Sequence, residues 1–168
     1  MLVFNVLADI FQLSSEVDYS KYKYIYFESI YDTEGRGIGE IDILLKFAEK
    51  VGRENILVKK HPRSTNFVFE ENGIAVDTNS AAPFEAIQLN HDMSHAVFVS
   101  AMSGSVLSVN SIVDSPSAVR LIYSLTESEK YEDKKKFVEN VKGIVEQFQN
   151  AGKLQHIKTV HCFEELYE

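Results

Sequence analysis

The sequence holds a single cysteine, Cys162, which excludes an internal disulfide framework and any cysteine-built zinc cluster. Positive charge is scarce: 17 Lys+Arg stand against 25 Asp+Glu, a formal net charge of −8. A broad nucleic-acid-binding surface needs the opposite balance, so nucleic acid is not an expected partner. No apolar run approaches the roughly 18–20 residues that a membrane span requires. The opening Met1-Leu2-Val3-Phe4-Asn5-Val6-Leu7 has neither the basic start nor the length of a signal peptide. The expectation is a soluble, cytoplasmic protein that meets the inner membrane face, if at all, only peripherally. Internal repeats and low-complexity tracts are lacking too. What is present is an ordinary globular balance, 45% apolar and 25% charged over 168 residues, enough for one sizeable core.

From Tyr24 onward, strand-like and helix-like segments alternate. Tyr24-Ile25-Tyr26-Phe27 is a short β-branched and aromatic run. Between Gly39 and Val51, residues Ile41, Leu44, Leu45, Ala48 and Val51 share one face of a 3.6-residue helix, and Gly52 supplies the stop. Asn55 to Lys59 reads as a buried strand ended by Pro62, and Gly73 to Asp77 as a second. Pro83 sits in the first turn of a helix that begins near Ala82. Ala96 to Val99 is a strand, followed by Ser103-Gly104-Ser105 and a helix carrying Val106, Leu107, Val109 and Ile112. Ala118 to Tyr123 returns to strand. Thr126 and Glu129 form a capping box ahead of a long helix with Phe137, Val141, Ile144, Val145 and Phe148 on one side. Asn150 and Gly152 close that helix before a last strand near Ile157–Val160. Residues 1–23 read as a linker or helix remnant, and 24–168 as one domain. Such alternation predicts an α/β fold: a mostly parallel sheet with helices on both faces. Ligands of these sheets bind beyond the carboxyl ends of the strands, so the segments after the strands matter most.

After the first strand, Gly35, Gly37 and Gly39 stand at alternate positions ahead of a helix. Their spacing is not that of a dinucleotide fingerprint, and a flexible loop is the simpler meaning. Asp32 and Glu34 in the same loop are candidate general bases, or simply solvated acids. The next strand runs into Lys59-Lys60-His61-Pro62-Arg63-Ser64, a concentration of cation that suits a phosphate. Pro62 ends the strand and holds His61 at its edge; the plainer reading is a basic turn. Ser103 and Ser105 offer hydroxyls where a helix opens, as a phosphate site or as ordinary N-caps. Glu85 is a candidate ribose acceptor, or a favourable charge in its own first turn. His91 and His95 are four apart, which on a helix would put both on one face without Asp92, so no metal site is expected. Cys162 has no activating context.

In order along the chain, Asp32-Thr33-Glu34-Gly35, Lys59 to Ser64, Pro83-Phe84-Glu85 and Ser103-Gly104-Ser105 resemble the nucleotide-sugar-binding half of bacterial sialyltransferases. The likeness is greatest to glycosyltransferase family 52 and the related polysialyltransferases, and it spans Tyr24 to Ser124. In that family an acidic-acidic-Gly motif supplies the base, a His-Pro motif contacts the donor, and a Ser-Ser or Ser-Thr pair holds its phosphate. His61 and Pro62 match fully, with Lys60 and Arg63 fitting beside them. Glu34 and Gly35 match the end of the acidic motif, but Thr33 replaces its first acid, which leaves the base between Glu34 and Asp32. Gly104 interrupts the serine pair, so Ser103 and Ser105 both stand.

The resemblance implies one Rossmann-like half of a GT-B-type enzyme. It implies a cytidine monophosphate-sialic acid donor, a glycan acceptor, no metal or other cofactor, and inversion at the sugar. The partners implied are the missing N-terminal half of the same enzyme and, as a further option, a second copy of the chain. A noncatalytic nucleotide-binding domain and a flavodoxin- or receiver-like signalling domain share the alternating pattern. A receiver, however, wants acids at strand ends where this chain has Lys60 and His61.

Overall fold

The computed structural model describes residues 8–13, 17–32, 37–101, 103–108, 117–126 and 132–167. Strand β1, Tyr24–Phe27, lies at the centre of a six-stranded sheet. It pairs in parallel with β2, Ile56–Lys59, on one side and with β4, Val97–Ser100, on the other. The short strand β3, Ala75–Val76, forms one edge. Strands β5, Ala118–Leu121, and β6, Ile157–Thr159, extend the opposite side. The order is β3-β2-β1-β4-β5-β6, and every pairing is parallel. This is a Rossmann-like α/β sheet, whose strand order reverses direction between β1 and β4.

Tyr24, Ile25, Tyr26 and Phe27 are each no more than 2% exposed. Successive strand residues point to opposite faces, so burial of all four means that both faces are covered. That is why the strands read as continuous apolar runs. Phe27, Phe84 and Phe98 form a T-shaped triplet with centroids 4.6, 5.4 and 5.5 Å apart, directly beneath the carboxyl end of the sheet.

Helix α1, Glu40–Val51, packs Leu44, Phe47 and Ala48 into the core, with the Phe47 ring 4.8 Å from Tyr24. Its start is fixed from outside the helix. The Asp32 carboxylate accepts the N–H groups of Ile38 at 2.5 Å, Gly39 at 3.2 Å and Ile41 at 3.0 Å. Its end turns at Gly52, whose φ of +90° is the left-handed side that glycine tolerates. Helix α2 spans Val68–Glu71, α3 Phe84–Gln88 and α4 Ser105–Ser108. Val109 and Ile112, expected on the helix after Ser105, lie outside the described residues. Helix α5 runs Glu132–Asn150.

The expected apolar side of α5 divides. Val145 is buried and Val138 and Val141 pack against the core, but Ile144 and Phe148 are 44% and 42% exposed. A helix lying on a sheet edge buries one row, here 138, 141 and 145, and leaves the adjacent 144–148 row outside. Thr126 ends a 3-10 turn over Tyr123–Leu125, its hydroxyl donating to the Tyr123 carbonyl at 2.6 Å, while Glu129 lies outside the described residues. Upstream of the expected domain start, Tyr19 is 2% exposed and donates its hydroxyl to Asp77 at 2.9 Å. Among the described residues, no helix is long and apolar enough to cross a membrane.

Candidate functional site

Beyond the carboxyl ends of β1, β2 and β4 lies a cleft of about 310 Å³. Lys60, His61 and Pro62 enter it from the end of β2, Ser80 to Glu85 from the connection after β3, and Ser103 and Ser105 from the segment after β4. Phe27 and Glu28 form its floor at the end of β1. The cleft sits at the point where the strand order reverses, the usual ligand position in such sheets. Residues as far apart in sequence as Phe27 and Ser105 thus converge through the parallel register, with Phe27 opposite both Lys59 and Ser100.

Glu28 is 2% exposed, yet its carboxylate is fully engaged. Oε2 accepts the His61 N–H at 2.9 Å, and Oε1 accepts the Ser64 hydroxyl at 2.9 Å and the Asn66 amide at 2.8 Å. Three donors from one loop therefore close on a single acid at the next strand's end. His61 Nδ1 accepts the Arg63 N–H at 3.2 Å. A neutral imidazole that accepts at Nδ1 carries its proton on Nε2, where it donates.

Lys59 plays the complementary part. Its side chain turns under the connection after β3, and its ammonium donates to the carbonyls of Asn79 at 3.0 Å, Ser80, and Ala82 at 2.9 Å. Burial pulls its pKa down to about 8, against the opposing pull of Asp77 and Glu85. Asp77 accepts both the Tyr19 hydroxyl and the Asn79 N–H at 2.8 Å, and burial pushes its carboxyl up. The Lys60 ammonium donates to the Asn66 carbonyl and to Glu70 at 3.2 Å, and lies 4.9 Å above the Phe67 ring.

On the far side, the Ser100 hydroxyl donates to the Phe27 carbonyl at 3.0 Å and accepts the Ser103 N–H at 3.0 Å. It ties the start of the serine segment to the end of β1. Glu85 accepts the Ser108 hydroxyl at 2.8 Å, joining α3 to α4.

The structure thus brings together Lys60, His61, Pro62, Glu85, Ser103 and Ser105 on one cleft. Arg63 is exposed and follows the cleft residues without lining it. Asp32 sits at the head of α1, its carboxylate occupied by three backbone N–H groups, and does not line the cleft. Glu34 lies outside the described residues. Glu28 and the inward task of Lys59 escape sequence reasoning. An acid one position past a strand carries no motif, and a lysine in a basic run looks like ligand-binding charge until its neighbours are known.

Next to the floor, Glu40 is fully buried and accepts the Ser29 N–H at 2.9 Å while pairing with the Ser29 hydroxyl. Burial pushes its pKa up to about 8, with Asp32 and Glu28 adding to the rise and Ser29 opposing it. The Tyr26 phenol beside it is raised well above its ordinary value, again chiefly by burial. Among the described residues, no group of three or more His, Cys, Asp or Glu is placed to hold a metal ion. Comparison with protein families, with curated proteins and with solved structures returns no match to this chain.

Proposed function

We propose that this chain is the donor-binding half of a sialyltransferase-like glycosyltransferase, taking cytidine monophosphate-sialic acid and serving a surface-glycan acceptor at the inner face of the membrane. The observation that supports this most is the convergence of His61, Pro62, Glu85, Ser103 and Ser105, drawn from three strand ends, on one cleft at the reversal point of the sheet. The resemblance assigns His61, Pro62, Ser103 and Ser105 to the donor, and Glu85 is the candidate ribose acceptor beside them.

In this reading the acceptor hydroxyl oxygen attacks the anomeric carbon of the sugar. The bond from that carbon to the phosphate oxygen breaks, and its electron pair leaves with cytidine monophosphate. His61 Nε2–H donates to the departing phosphate oxygen, where negative charge grows. The Ser103 and Ser105 hydroxyls hold the other phosphate oxygens, and Glu85 receives the ribose hydroxyls. The acceptor's proton passes to a carboxylate. With both oxygens of Asp32 committed to the start of α1, that role falls to Glu34. The second wall of the cleft and the acceptor site belong to the other half of a GT-B-type enzyme.

Calorimetric titration of the chain with cytidine monophosphate, alongside adenosine monophosphate and uridine monophosphate, tests the reading. Saturable binding with preference for cytidine supports it. Equal binding of all three points to a general mononucleotide domain, and no binding of any removes the donor-site reading.

A further inference from the structure

We propose that Glu28 and Lys59 are matched positioning residues, each using a buried charge to preset one wall of the cleft. They occupy neighbouring strands at the same level: Phe27 registers with Lys59, and the Glu28 N–H donates to the Lys59 carbonyl at 3.0 Å. From that shared level the two side chains diverge. Glu28 gathers donors, the His61 N–H, the Ser64 hydroxyl and the Asn66 amide. Lys59 gathers acceptors, the carbonyls of Asn79, Ser80 and Ala82.

The chemistry of each loop demands its own sign. A carboxylate accepts at both oxygens and donates nothing, so it alone satisfies three donors at once. An ammonium has three N–H groups and no lone pair, so it donates to three carbonyls at once, and the Asn79 carbonyl among them also accepts the Ala82 N–H at 2.9 Å. Glu28 and Lys59 are 2% and 8% exposed, and hydrogen bonds to charged groups in such places are stronger than neutral ones. Each loop is therefore held before any ligand arrives, with His61 on one wall and the approach to Glu85 on the other. Lys59 also lines the cleft, but its ammonium is committed to these three backbone carbonyls.

The match of charge to loop stands on geometry. Its consequence for nucleotide binding rests on the donor-site reading above. Three measurements on wild type, Glu28→Gln and Lys59→Met separate the two: amide hydrogen exchange without ligand, nitrogen NMR of the histidine rings, and cytidine monophosphate titration. Glu28→Gln is expected to speed exchange at the His61 and Ser64 amides by about tenfold or more while leaving Asn79 and Ala82 as in wild type. It should also shift the His61 ring nitrogens toward a mixture of tautomers. Lys59→Met is expected to do the reverse, loosening Asn79 and Ala82 and leaving the His61 ring signals unchanged. In both variants nucleotide affinity should fall by about tenfold.

Wild-type exchange in both loops of both variants overturns the proposal, as does equal acceleration of both loops by either one. Unchanged nucleotide affinity in both variants overturns its functional half. If the exchange pattern is as expected but wild type binds no nucleotide, the positioning holds and the donor-site reading falls. Should Lys59→Met fail to fold, Lys59→Arg replaces it with the same expected pattern, because a planar fork cannot reproduce three converging N–H groups.

Discussion

Glu40 enters helix α1 with its carboxyl out of contact with water, close to Asp32 and Glu28. Charging it there costs more than charging it in the unfolded chain, which is why its pKa rises from an ordinary 4.5 to about 8. Between those two values the folded protein binds a proton that the unfolded chain has released. Stability from this group is therefore complete below about 4.5 and is lost as pH climbs through 8. Each unit of such a difference is worth ~1.4 kcal/mol. Urea midpoints measured at pH 5 and pH 8.5 should fall more steeply for wild type than for Glu40→Gln, which has no proton to lose. Parallel declines would assign the pH dependence to another group. His61 invites a different expectation, since it is half-exposed at a strand end and fills no core space. His61→Ala should lower cytidine monophosphate affinity by about tenfold, the scale of a lost hydrogen bond to a charged group. Its unfolding free energy should stay within about 0.5 kcal/mol of wild type. A large loss of stability with binding intact would make His61 a structural residue.

At the scale of elements, the head of helix α1 shows why Asp32 is more useful as a cap than as a base. Gly39 precedes the helix with a positive φ of 76° and offers no side chain, so the first orphan N–H groups need an acceptor from elsewhere. Asp32 provides it through three contacts, and a negative charge at a helix N-terminus is favoured by the dipole as well. Asp32→Ala should cost about 1–2 kcal/mol of stability, read from chemical denaturation, the range found for lost N-caps. A neutral result would mean that water replaces the carboxylate at no cost.

The same elements show what can be read from the chain alone. Strands β1, β2 and β4 were legible because burial on both faces leaves uninterrupted apolar runs, and α1 because its face and its Gly52 stop coincide. The site was legible to the extent that His61, Pro62, Glu85, Ser103 and Ser105 each follow a strand or open a helix, and parallel pairing brings such positions together. Glu28 was not legible, because its worth lies in three partners 33 to 38 positions away. Lys59 was misleading for a similar reason: sequence shows a charge but not which way it turns. In α5, periodicity put Val141, Ile144, Val145 and Phe148 on one side but could not tell that a sheet edge buries only the row through Val145 and leaves Ile144 and Phe148 outside.

For the molecule as a whole, the decisive feature is that one sheet supplies the described walls of the cleft. The cleft opens from the carboxyl ends of β1, β2 and β4, and every wall described here comes from residues 27–105 of the same layer. A transfer between two sugars needs both reactants held in line, and such alignment is worth up to ~7–11 kcal/mol of barrier. If the proposed reading holds, donor contacts are all on this chain while acceptor contacts are on its missing companion half. The chain alone should then bind cytidine monophosphate and fail to transfer sialic acid to a galactose-terminated acceptor. Joined to the companion half, it should regain transfer, and His61→Ala should remove it again. The assay is the chain with cytidine monophosphate-sialic acid and acceptor, followed by release of cytidine monophosphate over hours. Turnover near an ordinary enzymatic rate of ~10 s⁻¹ would show that the acceptor is held by this sheet after all. Slow donor hydrolysis without transfer is the intermediate behaviour that fits a half-site, because water needs no acceptor wall to reach an activated sugar.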